Sequence, residues 1–119
     1  MKELPPQVQN QLAQFQQLQQ QLQVLATQRL QLEAKLRETA GTIEELGKAG
    51  AKTPVYRSTG SLLIRVEERG ALAKELEEQK ETLEIRVNTI KKQEKSLGER
   101  YEQLQQKLSA ALEGGTQAG

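Results

Sequence analysis

The sequence has no cysteine, histidine or tryptophan, and no aspartate is found anywhere along it. Without histidine or cysteine, the usual general base, thiol nucleophile and soft metal ligands are missing. Glutamate, lysine, serine and tyrosine remain, but on strongly periodic stretches that read as solvated, where nothing tunes a pKa for catalysis. The chain is therefore expected not to be an enzyme and to need no metal and no cofactor. Aromatics are scarce at 3%, namely Phe15, Tyr56 and Tyr101, and apolar residues reach only 35%, below the roughly 45–50% of compact domains. So few large apolar side chains cannot fill a thick core, but they can fill a thin seam between helices. Charge of one sign is missing too. Seventeen basic and sixteen acidic residues nearly cancel, so neither nucleic acid nor an anionic membrane is an expected partner. No run approaches the ~18–20 apolar residues of a membrane span, and Met1 to Pro6 is no signal peptide. The lack of cysteine fits a reducing compartment, and the cytosol (a cytoplasmic protein) is the expectation.

What is present is periodicity. From Pro5 to Leu46 the chain is rich in glutamine, leucine and glutamate. In a heptad frame with a positions at Val8, Phe15, Leu22, Arg29, Leu36 and Ile43, the d positions are Leu4, Gln11, Leu18, Leu25, Leu32, Thr39 and Leu46. Only Arg29, Gln11 and Thr39 interrupt the apolar pattern, which predicts a coiled-coil helix over 5–46. Pro5-Pro6 suits a helix start, where a missing N–H costs little. Gly47 is expected to cap the helix in the left-handed region. A second helix is predicted over 71–112, with Leu76, Leu83, Ile90, Leu97, Leu104 and Ala111 at d and Ala73, Lys80, Val87, Glu94, Tyr101 and Leu108 at a. Residues 113–119 read as a disordered tail.

Between the helices the pattern changes to a β-hairpin over 54–66. Two β-favouring runs flank Thr59-Gly60, which as the turn puts Val55 opposite Ile64 and Tyr56 opposite Leu63. Both faces then carry apolar side chains. A lone hairpin is marginal in water and its open edges invite other strands. Folding back on its own helices is the alternative, but a two-helix seam leaves little surface to cover it. Val55, Tyr56, Leu62, Leu63, Ile64 and Val66 are therefore expected to serve oligomerisation. The segments 5–46 and 71–112 match in length, on the order of 60 Å each at ~1.5 Å per residue. A short hairpin that returns the chain makes them antiparallel, so the fold class is mainly α, a long antiparallel two-helix coiled coil joined by a β-hairpin.

Two motifs carry no function. Gly41 to Lys48 superficially suggests a phosphate-binding loop, but it has one residue too many between the glycines and Ala49 where Ser or Thr should follow. Lys91, Lys92 and Lys95 are interleaved with Glu94 and Glu99 and read as a solvated helix face. The end where both termini meet holds more interest. Val8, Phe15, Leu104 and Leu108 fit seam positions and can simply close the last turns. Leu4, Leu12 and Leu112 serve either closure or exposed apolar contact, where many weak contacts, each at most ~1.5–3 kcal/mol, could hold another chain.

The opening Glu3-Leu4-Pro5-Pro6-Gln7-Val8-Gln9, the run Gln11 to Gln21, the hairpin Val55-Tyr56-Arg57-Ser58-Thr59-Gly60-Ser61-Leu62-Leu63-Ile64, and Lys80 to Val87 with Thr89-Ile90 and Gln93-Glu94 together resemble the beta subunits of archaeal prefoldins, over residues 3–112. Heptads alone are generic; the hairpin between two such helices is the specific part. The resemblance implies one prefoldin domain over 1–112 and a hexamer of two alpha and four beta subunits, their hairpins joined in an oligomeric β-barrel. It further implies an ATP-independent chaperone subunit, a holdase, that captures unfolded proteins at the coiled-coil tips and delivers them to a group II chaperonin. Client contact would fall to Leu4, Val8, Leu12, Phe15, Leu104, Leu108 and Leu112. The competing readings are a structural coiled-coil scaffold for one folded partner and an RNA-contacting helical arm, the latter disfavoured by the balanced charge.

Overall fold

In the computed structural model the described residues are 4–117, with side chains described as far as Gly114. Four elements follow in order: α1 (Pro6–Lys48), β1 (Tyr56–Thr59), β2 (Leu62–Arg65) and α2 (Arg69–Gln117). The fold class is that read from the heptads and the central break: two long helices joined by an antiparallel hairpin. The element ends differ from expectation in instructive ways. Pro6 opens α1, and the Gln9 amide donates to the Pro5 carbonyl at 3.0 Å, so the proline ring removes no helical donor. At the other end Gly47 lies inside α1, and Gly60 alone among the described residues has a positive φ. The helix ends instead at Lys48, where the Ala49 amide is shared between the Glu45 and Leu46 carbonyls at 3.1 and 3.3 Å. Such a shared donor satisfies the terminal carbonyls without a left-handed residue.

α2 starts two residues before the expected Ala71. The Leu72 amide donates to Glu68 at 3.3 Å, and Gly70 falls in the first turn, where helix propensity matters least. The Arg69 Nη1 donates to the Gly50 carbonyl at 2.7 Å and ties this start to the loop after α1. α2 also continues to Gln117 rather than stopping at Leu112, so residues 113–117 are helical where the sequence suggests a tail. Extending an existing helix adds one hydrogen bond per residue and needs no new nucleus, so Gly114 and Gly115 weaken the last turns without ending them. Residues 118 and 119 of the expected tail lie outside the described residues.

The chain divides into two compact units, residues 1–30 with 88–119 and residues 31–87. In the first, Phe15 stacks on Tyr101 with ring centroids 4.5 Å apart and an interplanar angle of 21°. Further along α1, the Arg29 Nε donates to the Glu94 Oε1 at 2.6 Å. Numbers rise on α1 as they fall on α2, so the helices are antiparallel. Leu18 and Leu108 are buried between them. In the second unit Lys35 and Thr39 of α1 share a crevice with Gln79, Thr82 and Leu83 of α2, and Leu83 and Val87 are buried.

Within each unit the shielded residues follow the heptad frame. On α1 every a and d position from Val8 to Leu46 is half-buried or buried; so is every one on α2 from Ala73 to Ala111. Of the three charged a positions, Arg29, Lys80 and Glu94, the first and last are not independent faults in the seam, because each supplies the other with a counter-charge. Their side chains keep 26% and 20% exposure, so solvent screens the pair only partly. Such a pair fixes register more than it adds stability. Replacing Glu94 by leucine is expected to lower stability, and the double variant Arg29→Leu with Glu94→Leu to recover most of the loss. A urea-denaturation cycle should show a coupling of about 1–2 kcal/mol. Additive single effects would mean that the pair is incidental.

Candidate functional site

The hairpin is the first candidate. β1 and β2 pair antiparallel with Tyr56 opposite Arg65, Arg57 opposite Ile64, Ser58 opposite Leu63 and Thr59 opposite Leu62. The turn is thus Gly60-Ser61, not Thr59-Gly60, and the expected pairing of Val55 with Ile64 and Tyr56 with Leu63 is corrected. The reason is conformational. Gly60 takes φ +60° while Ser61 stays negative, the signature of a turn with glycine at its first central position. With Thr59 at that position a β-branched residue would need positive φ, which is sterically costly. One more rung closes the base, where the Val66 amide donates to the Val55 carbonyl at 2.8 Å.

This register sorts the side chains. Val55, Arg57, Thr59, Leu62, Ile64 and Val66 share one face, and Tyr56, Ser58, Leu63 and Arg65 the other. The Arg57 face turns toward α2, for Arg57, Ile64 and Val66 line a crevice of about 250 Å³ with Ala71, Leu72 and Glu75. Only the base is shielded: Val55 and Val66 are half-buried, while Tyr56, Leu62, Leu63 and Ile64 stay 55, 64, 73 and 50% exposed. Each strand has a single partner, so both outer edges of this two-stranded sheet keep unpaired backbone donors and acceptors.

A contact not foreseen from the sequence fastens the hairpin. The Arg57 Nη1 donates to the Glu75 Oε2 at 2.9 Å and the Nη2 to the Oε1 at 2.7 Å. This is the bidentate fork that arginine forms with carboxylates. The hydrogen bonds from Arg57 hold the Glu75 carboxyl below its ordinary value, against an opposing effect of desolvation that is larger than the help from the arginine's charge. The same partner raises Arg57. Residues 18 apart on a strand and a helix carry no periodic signal, and only the register above turns Arg57 toward α2.

The second candidate lies in the first unit, where the antiparallel pairing brings the start of α1 to the end of α2. Of the residues singled out there, Leu108 is buried, and Val8, Phe15 and Leu104 are half-buried in the seam. Leu4, Leu12 and Leu112 are 39, 39 and 51% exposed. Leu12 and Leu112 lie off the heptad ladder, whereas Leu4 is exposed although it occupies a d position. Tyr101, stacked on Phe15, belongs with the seam group. Among the described residues no cluster of carboxylates could hold a metal ion, and no helix is long and apolar enough to cross a membrane.

A two-helix antiparallel coiled coil joined by a hairpin whose outer half is exposed defines the class of fold to which the chain belongs. The chain belongs to the prefoldin subunit family, a family of chaperone subunits, whose model matches residues 9–115. It is 54% identical over 112 residues to the prefoldin subunit beta of Archaeoglobus fulgidus, covering 94% of this chain and 96% of that one. It is 51% identical over 98 residues to that of Thermoplasma volcanium, covering 82% and 79%. Among solved structures it is similar to the crystal structure of the prefoldin beta subunit from Thermococcus strain KS-1, with a TM-score of 0.83, 34% identity, and coverage of 94% of this chain and 97% of that one.

The Arg57–Glu75 clamp yields a signed pH dependence. Because the folded state lowers the Glu75 pKa, its contribution is complete above the ordinary glutamate value of about 4.3 and is lost as pH falls through the lower folded value. The thermal midpoints of the wild type and Glu75→Gln should therefore differ by a constant amount above about pH 5 and converge as the carboxyl protonates. A gap that does not change with acid would show that the clamp is not ionic.

Proposed function

We propose that this chain is an ATP-independent holdase subunit, which captures unfolded proteins at the paired helix ends and passes them to a group II chaperonin. Prefoldin beta subunits assemble with other prefoldin subunits. For this chain the proposed partner is an alpha subunit, in a cytoplasmic hexamer of two alpha and four beta chains. Val55, Tyr56, Leu62, Leu63, Ile64 and Val66 enter the shared β-barrel in this reading. Leu4, Leu12 and Leu112 make first contact with clients, and Val8, Phe15, Leu104 and Leu108 join when the last turns loosen. The observation that carries the proposal is the exposure of Tyr56, Leu62, Leu63 and Ile64 on a hairpin with open strand edges, together with that of Leu4, Leu12 and Leu112 at the paired helix ends. Open edges suit assembly through backbone pairing. Scattered leucines on a helix surface suit weak contact with chains that have no fixed shape.

The chain assembled with its alpha partner should suppress the light scattering of a diluted, denatured protein at stoichiometric amounts and without nucleotide. A scaffold for one folded partner would leave the scattering unchanged. Deletion of residues 1–12 is expected to weaken this suppression several-fold while native mass measurement still finds the hexamer, since the removed apolar contacts are each worth about 1.5–3 kcal/mol at most. Loss of the hexamer instead would overturn the division of labour between hairpin and helix ends.

A further inference from the structure

We infer that a glutamine-lined groove along one flank of the coiled coil in the first unit is a second client-binding surface, which takes an extended, acidic stretch of unfolded polypeptide. This rests on the holdase reading and deepens it. Two cavities, of about 430 and 730 Å³, meet at Gln17 and Gln21 and form one groove open to solvent. Its upper part is walled by Gln14 and Gln17 of α1 and by Arg100, Gln103 and Lys107 of α2, with Leu18 and Leu104 of the seam as the floor. Its lower part is walled by Gln20, Gln28, Gln93 and the exposed Val24, with Leu25 and Leu97 beneath.

The chemistry of the wall is unusual for a coiled coil. Flanking positions normally carry glutamate and lysine that pair across the seam. Here residues 5–32 contain no acidic side chain at all, so this stretch of α1 offers Arg100 and Lys107 no counter-charge. Among the described residues neither of them forms an ion pair. The groove thus has two positive charges and no negative one on a neutral amide lining. Each glutamine offers one carbonyl acceptor and two N–H donors, the complement of the alternating C=O and N–H groups of an extended backbone. Amides serve any sequence, the leucine floor accepts an apolar side chain, and the two cations favour carboxylates. A folded partner would present a broad surface, whereas this narrow, open groove fits one strand of chain. Two cations are also few for a nucleic acid, which offers a charge at every phosphate.

The test uses the assembled complex and two fluorescent unfolded peptides of equal apolar content, one acidic and one basic, read by anisotropy. The wild type should prefer the acidic peptide. Arg100→Glu with Lys107→Glu should weaken its binding about tenfold at low salt, with the loss shrinking as salt rises. Arg100→Gln with Lys107→Gln, which keeps helix propensity, should show a smaller loss of the same sign, and circular dichroism should find both variants helical. Unchanged affinity for the acidic peptide in both variants overturns the proposal. So does a single-stranded oligonucleotide that displaces this peptide at lower concentration than an acidic competitor. If the deletion of residues 1–12 lowers binding of both peptides while the groove variants are silent, the holdase reading stands and the groove falls. Binding of neither peptide by the intact complex overturns both.

Discussion

Everything in this molecule depends on a seam one side chain deep. Alternate a and d residues of two antiparallel helices shield one another, and among the described residues only Leu18, Leu83, Val87 and Leu108 are buried outright. A seam so thin leaves no apolar surface to spare for the hairpin, which explains why Leu62, Leu63 and Ile64 remain bare beside α2. It also leaves most of each helix surface free, so glutamine, lysine and glutamate on the flanks are available for contacts outside the chain. The same economy makes polar residues in the seam consequential. Arg29 and Glu94 are tolerated because they meet, and a shift of one heptad would place Arg29 against Val87 or Tyr101 and Glu94 against Leu22 or Leu36 instead.

The hairpin is positioned by three small devices. Gly60 sets the turn, and with it which side chains share a face. That choice turns Arg57 toward α2, where the Glu75 carboxylate holds it with two hydrogen bonds. Arg69, bonded to the Gly50 carbonyl, ties the start of α2 to the loop beyond α1. The base of the hairpin is therefore fastened at several points while its outer half has no cover of its own. An element held rigid at one end and left apolar at the other is well prepared for pairing with further strands, because little ordering entropy remains to oppose association.

Much of this could be read from residues alone. Heptad spacing predicted both helices, and the shielded positions coincide with the frame set by Val8, Phe15 and Leu22 on α1 and by Leu76 and Leu83 on α2. Leu12 and Leu112 were legible as outward residues because each falls off the ladder. The turn was less legible, since Thr59-Gly60 and Gly60-Ser61 are both reasonable dipeptides by composition and only the backbone angle separates them. Helix ends were off by a few residues for the same kind of reason. Gly47, Gly70 and Gly114 look like breaks, yet a helix already formed passes through glycine at modest cost.

The division is a physical one. Sequence by itself determined what depends on composition and local spacing: two coiled-coil helices, a strand pair between them, the lack of histidine and cysteine, and a resemblance carried by the hairpin motif. Only the tertiary structure decided which distant groups meet. The stack of Phe15 on Tyr101, the Arg29–Glu94 pair, the Arg57–Glu75 fork and the groove between Gln14 and Lys107 each join residues far apart in the chain. Periodicity states which face of an element is apolar, but the axial register between two elements is set by all their contacts at once, so no single stretch of sequence contains it.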